Sequence, residues 1–176
     1  MPVAELISVD EYLSTGYDPD VDYVDGRIEK RNLGERDHGE LQFEITAYVN
    51  SRRGKTGVRA FLEQRMRVAP NRYRVPDICI TTGPKPVEQV FTLPPLAVIE
   101  ILSPEDRIAR MQRKIEDYLD FGVQHVWIVD PESRRVWKHS RGEAREIADR
   151  VLRVDDPALT VPLDEIFAAI DEDAAE

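Results

Sequence analysis

Apolar and polar positions alternate along the chain in patterns that predict a mixture of strands and helices. Ser8-Val9-Asp10-Glu11, just before Tyr12 and Leu13, has the spacing of a capping box and predicts a short helix over "SVDEYLS". "DYVDGRIEKR" alternates on both sides of Asp25-Gly26, a pair suited to the positive φ angles of a tight hairpin turn. From Asp37 to Arg53, Leu41, Ile45, Tyr48 and Val49 recur at helical spacing, and His38 falls within the same stripe. "GVRAFLEQRMRV" and "YRVPDICITT" predict two strands joined by a turn at Pro70-Asn71-Arg72.

"PPLAVIEIL" is nearly continuous in its apolar character, as expected of a strand covered on both sheet faces. A helix follows from Glu105 to Phe121, with Ile108, Met111, Ile115, Tyr118 and Leu119 on one face and Arg113 and Asp117 paired on the other. Ser103-Pro104 is expected to cap and start it, and Gly122 to end it. "QHVWIVD" predicts a further strand, on which "RRVWKHS" folds back. Trp127 and Trp137 lie in these runs as core or sheet-packing residues. "LTVPLDEIFAAIDEDAAE" predicts a strand, a short helix and a frayed acidic tail from about residue 169 to 176. The strand–helix–strand passage from "LAVIEIL" to "HVWIVD" implies parallel neighbours with a right-handed crossover. The expected fold class is therefore α/β, a mixed β-sheet flanked by helices on both faces, with residues 1–176 forming one domain.

Composition excludes several classes. No apolar run approaches the roughly 20 residues of a membrane span, and "MPVAELISVDEY" lacks a signal-peptide pattern, so a cytoplasmic location is expected. Cys79 is the only cysteine, which rules out an internal disulfide or a thiolate zinc cage, and His125 and His139 have no zinc-like spacing. The formal net charge is −10, yet it is uneven: residues 30–147 hold 17 acids and 21 bases, while both ends are acidic. A local phosphate-binding surface is thus compatible with the global sign, as is a scatter of solvated arginines.

Glu100 stands between Val98, Ile99, Ile101 and Leu102, where an unpaired charge would be costly. If its strand neighbours the one carrying Asp77, the two carboxylates can meet, and a divalent ion with oxygen ligands would reconcile them. The other reading is a strand-end glutamate in solvent or paired with an arginine such as Arg74. On the following helix Lys114 falls at the edge of the apolar face, beside Tyr118. There it either reaches inward to stabilise developing charge or snorkels along the helix edge. Arg107 and Arg110 form a short basic edge that would contact phosphate or face solvent.

Pro76-Asp77 followed by Glu100 resembles the PD-(D/E)XK nuclease superfamily. "AVIEILSPEDR", the helix containing Lys114, "YLDFGVQHVWIVDP" and the early "YVDGRI" resemble, in order and over residues 5–168, the bacterial "putative restriction endonuclease" family of the Uma-two type. The resemblance implies a restriction endonuclease-like core and Mg²⁺- or Mn²⁺-dependent hydrolysis of DNA. Asp77, Glu100 and the backbone carbonyl of Ile101 would be the metal ligands. The superfamily's lysine normally lies two places after the acid, where this chain has Leu102, and Lys114 matches the migrated position in the family. His38, in "DHGELQ", matches a frequent family histidine, with Glu40 the nearby alternative and a satisfied core histidine the other reading. A different class, a weakly active or non-catalytic module binding nucleic acid or a protein partner, also suits the acidic chain. A homodimer touching near Trp137 is expected because two strands need two sites. If the two acids repel each other without metal, neutralising either is expected to raise stability.

Overall fold

The computed structural model describes residues 6–32 and 34–173. Helix α1 (Val9–Ser14) opens as the capping pattern predicts, with the Ser8 hydroxyl accepting from the Glu11 N–H at 3.1 Å. Strands β1 (Val21–Val24) and β2 (Arg27–Lys30) form the hairpin. Asp25 and Gly26 take φ of 50° and 88° at its turn, the left-handed pair that Asp-Gly supplies. Helix α2 (Arg36–Ser51) buries Leu41, Ile45 and Val49, and a single turn, α3 (Arg53–Thr56), follows it.

The two long strands expected over residues 57–82 are each broken in two. Their parts are β3 (Val58–Leu62), β4 (Met66–Ala69), β5 (Arg72–Arg74) and β6 (Ile78–Thr82). The inner parts, β4 and β5, pair across the expected turn and join the first hairpin in a four-stranded sheet of order β2-β1-β5-β4. The outer parts, β3 and β6, pair in the main sheet. The break is physical: Glu63 adopts a left-handed backbone, φ 47°, after β3. Pro76, which lacks an N–H, precedes Asp77 between β5 and β6.

The main sheet has order β10-β9-β8-β7-β6-β3, built with β7 (Ala97–Ile101), β8 (His125–Asp130), β9 (Arg135–Ser140) and β10 (Glu143–Glu146). Helix α4 (Ile108–Phe121) carries the chain from β7 to β8, the sheet's parallel pair. Gly122 ends α4 at φ 108°. Strands β11 (Val151–Val154) and β12 (Leu159–Pro162) form a small ribbon before helix α5 (Leu163–Asp173).

Alternation along the sheet strands sorts the core. Ile78, Ile80, Ile99, Ile101 and Trp127 face α2 and α5, whereas Cys79, Val98, Val126 and Ile128 face Ile115 and Tyr118 of α4. Helices therefore cover both faces, as expected of this α/β fold. Tyr12, Tyr23 and Tyr73 form a separate core under the four-stranded sheet. The expected acidic tail is shorter than residues 169–176, because α5 runs to Asp173 and Ile170 is buried in the main core; its last three residues lie outside the described ones. No helix among the described residues is long and apolar enough to cross a membrane.

Helix α4 differs from its expected form in three respects. It starts at Ile108, with Arg107 in the cap position and no side-chain cap, so Ser103-Pro104 does not cap it. Instead the Ser103 N–H donates to Asp106 Oδ2 at 2.7 Å. Ile108 is exposed rather than on the buried face. Asp117 is buried and is no outer-face partner of Arg113. It accepts from Arg72 Nη1 at 2.8 Å and Arg74 Nε at 2.7 Å. Arg74 also donates to Asp22 and Glu29, at 3.1 and 2.8 Å, so one buried guanidinium ties β1 and β2 to α4.

Candidate active site

Strand pairing brings the two acids together. Antiparallel β6 and β7 align Ile78 with Ile99, and the same register carried one step further sets Asp77 opposite Glu100. Asp77 lies where the chain passes from the four-stranded sheet to the main sheet. Its Oδ2 accepts from the Ile101 N–H at 2.7 Å and lies 3.3 Å from His38 Nε2 on α2, while Oδ1 accepts from Arg31 Nη2 at 2.5 Å. Gln42, one turn after His38, donates to the Asp77 carbonyl at 2.9 Å. Helix α2 thus grips this residue by side chain and backbone. Glu40 points elsewhere, 4.0 Å from the exposed Arg36.

Glu100 projects from β7 towards α4. Lys114 Nζ donates to Oε2 at 2.7 Å and the Tyr118 hydroxyl to Oε1 at 2.5 Å. Spaced four apart on α4, Lys114 and Tyr118 share a helix face and grip one carboxylate from adjacent turns. Arg74, the alternative partner for Glu100, is occupied with Asp22, Glu29 and Asp117. Lys114 is buried with the acid, 7% exposed against 3% for Glu100, so it is not a snorkelling lysine.

Asp77, Glu100, Ile101, Lys114 and His38 line one small cleft of about 30 Å³, together with Arg31, Ser103, Asp106 and Arg110. Asn32 donates to Asp106 at 2.8 Å, fastening the segment after β2 over the segment after β7. Arg110 stands at the rim, 4.0 Å from Asp22, whereas Arg107 is exposed and lines a neighbouring groove. Another groove, of about 550 Å³, meets the cleft at His38 and Ser103 and is flanked by Glu35, Asp37, Asp130 and Glu132.

The two acids have divergent proton affinities. Burial works against the Asp77 carboxylate, but the His38 hydrogen bond and the charges of His38, Arg31 and Lys114 outweigh it and hold the group down at about 2. Burial pushes Glu100 up, with Lys114 opposing and Asp77 reinforcing the shift. Burial likewise disfavours charged Lys114, but Glu100, Asp22 and Asp77 keep it protonated. For His38, desolvation is outweighed by the hydrogen bond and charge of Asp77, and its affinity for a proton rises. Tyr118 is raised well above its ordinary value by burial and by Glu100, so it remains a donor.

This donor set suits a hard divalent ion in kind: two carboxylates plus a backbone carbonyl, with solvent or substrate oxygens completing the shell. The Ile101 main chain faces Asp77, because the next N–H, of Leu102, turns to Val129 of β8. No group of three or more His, Cys, Asp or Glu side chains forms a metal cage among the described residues. Any ion held here therefore relies on the acid pair and main chain. Arg31, Gln42 and Tyr118 are the site residues that sequence reasoning missed. Only Gln42 and Tyr118 carried a signal, lying one helical turn after His38 and Lys114.

No curated protein matches the chain. A crystal structure described as a "putative nuclease belonging to DUF820 from Anabaena variabilis ATCC 29413" is 26% identical, covering 92% of this chain and 98% of that one, with a TM-score of 0.77. A family model described as "Putative restriction endonuclease" matches residues 9–168. The fold is thus shared with a protein described as a nuclease, and the chain belongs to the Uma2 family.

Proposed function

We propose that this protein is a divalent-metal-dependent endonuclease that hydrolyses DNA phosphodiesters, using Mg²⁺ or Mn²⁺ in the cytoplasm. The observation that carries this reading is the register that sets Asp77 against Glu100, with Lys114 hydrogen-bonded to the second acid. Asp77, Glu100 and the Ile101 carbonyl would hold the ion. When bound, it supplies Lewis acidity, lowering the pKa of water and neutralising charge on phosphoryl oxygens. Lys114 remains protonated and offers its other N–H bonds to negative charge that builds on the phosphate. His38 orients Asp77, and Tyr118 fixes the rotamer of Glu100. Arg110 at the rim, and Arg107 farther out, would meet flanking phosphates.

The second reading, a weakly active or non-catalytic module, draws support from the acidic groove beside the cleft, which repels a polyanion. Nicking of supercoiled DNA with Mg²⁺ or Mn²⁺, against EDTA controls, separates the two. Asp77→Asn and Glu100→Gln should each abolish cleavage, and Lys114→Ala should lower turnover more than metal affinity. Cleavage that survives in Asp77→Asn would defeat the assignment. DNA binding without cleavage by the unaltered protein would favour the module.

The proposed assembly is a twofold homodimer, since one cleft per chain cuts one strand. The expected contact near Trp137 would involve the β9–β10 hairpin. Its outer strand, "EARE", is wholly exposed and charged at three of its four residues, an edge that resists strand-to-strand pairing.

A further inference from the structure

Arg31 makes the shortest contact to Asp77 in the cleft. It follows directly on β2, and its side chain is 9% exposed, so the cation is built into the site rather than laid across it. One arm of the guanidinium, Nη2, donates to Asp77 Oδ1 at 2.5 Å. The other arm, Nη1, donates at 2.9 Å to Glu63, whose side chain is 48% exposed at the edge of the site. Glu63 is itself held firmly: its backbone is left-handed, φ 47°, and its N–H donates to the Asp77 carbonyl at 3.1 Å. A non-glycine residue in that region persists where surrounding contacts over-determine it. The guanidinium therefore spans two carboxylates, one inside the cleft and one at its edge.

A divalent ion on Asp77 would stand within a few ångströms of this guanidinium, the two cations sharing the single Asp77 carboxylate. Repulsion between like charges at that range is strong even at a protein-like dielectric. Both oxygens of Asp77 already accept hydrogen bonds, and Oδ1 faces Arg31. Resting on the metal-binding reading above, we propose that Arg31 is a resident counter-ion of the cleft that competes with the divalent metal for Asp77, and that Glu63 is the seat to which it withdraws. Arg31 thus balances the acid pair when no ion is bound. On metal entry it gives up Asp77 and keeps Glu63, which leaves Nη2 free at the edge of the site. A planar guanidinium with a free arm suits a phosphate oxygen, so metal entry and phosphodiester binding favour each other through one side chain.

The test is Mn²⁺ affinity, measured by isothermal titration calorimetry and by the electron paramagnetic resonance signal of free Mn²⁺, without DNA. Arg31→Gln removes the charge but keeps a donor, and it should tighten Mn²⁺ at least tenfold. Arg31→Lys should stay close to the unaltered protein. Glu63→Gln should weaken Mn²⁺ several-fold, because the guanidinium then has Asp77 as its main carboxylate partner. This opposite sign separates the proposal from general loosening of the site. Should Arg31→Gln fold poorly, Glu63→Gln still carries the prediction by itself. Unchanged or weaker Mn²⁺ binding in Arg31→Gln, with normal binding by the unaltered protein that Asp77→Asn abolishes, overturns the role of Arg31 and spares the metal site. Absence of Mn²⁺ binding in the unaltered protein and in Arg31→Gln alike overturns both.

Discussion

Replacing Glu100 with glutamine in the metal-free protein should lower stability, contrary to what two mutually repelling acids suggest. Repulsion between Asp77 and Glu100 is real, but each acid has its own compensation. Arg31, His38 and the Ile101 N–H satisfy Asp77, while Lys114 and Tyr118 satisfy Glu100. Glutamine keeps a carbonyl for Tyr118 but leaves the buried Lys114 without the carboxylate 2.7 Å away. Removing one partner of a buried pair costs about 3–5 kcal/mol. The retained carbonyl and the nearby charges of Asp22 and Asp77 place this substitution at the lower end, about 3 kcal/mol. For a chain of this size that is a fall in Tm of roughly 6–12 °C.

Urea unfolding in EDTA measures it, run beside Lys114→Met and the double variant. Lys114→Met should cost a similar amount by stranding Glu100. The double variant should cost less than the two singles together, because replacing both partners removes the stranded charge. Glu100→Gln that is as stable as the unaltered protein, or more so, would show that repulsion between the acids dominates. The ion-pair description of the cleft would then be wrong.

His38 makes stability pH-dependent in a defined direction. Its folded affinity for a proton is raised, so its contribution is full below the unfolded value, near 6.5, and fades as pH rises through the folded value. Urea unfolding across pH 5–9 in EDTA should therefore show a decline that His38→Ala removes; an unchanged slope in that variant would assign the titration to another group. The proposed homodimer is checked by light scattering at micromolar concentration, where a twofold mass is expected and a monomer mass rejects it.

Much of the fold is legible because local chemistry and tertiary need agree. Asp25-Gly26 could hardly be anything but a tight turn, and the hairpin register follows from it. The crossover from β7 through α4 to β8 follows from one apolar run, one amphipathic stretch and a terminal glycine. The failure at residues 57–82 has an identifiable cause. "GVRAFLEQRMRV" has strand character throughout, and only the left-handed turn at Glu63 divides it, at a residue type that rarely marks one. Two sheets share these segments because β1 takes β5 as its second partner and β5 in turn pairs with β4. Nothing local to Met66–Arg74 states that pairing.

The site separates in the same way. Glu100 was legible because a charge inside an apolar strand demands a partner, and Asp77 because it is the acid that a neighbouring strand brings within reach. Lys114 was legible because helical spacing sets it at the edge of the apolar face, where one of its two readings points inward. What could not be read was the identity of each partner, since that depends on which elements meet. Ile108 and Asp117 show the difference. Periodicity assigned the first to the core and the second to solvent, but α4 packs between two sheets, and the four-stranded one presents Arg72 and Arg74 to Asp117. An aspartate on the polar side of a helix thereby becomes a buried anchor, fixing α4 one turn from Lys114. Arg31 is the extreme case. It lies 46 residues from Asp77, just past the end of β2, and reaches the acid because the β1–β2 hairpin pairs with β5, the strand that leads into Asp77. No pattern within "RIEKR" distinguishes Arg31 from Arg27, which is exposed on the same hairpin. The charge balance of the cleft is therefore a property of sheet assembly, and it becomes visible only once the second sheet is in place.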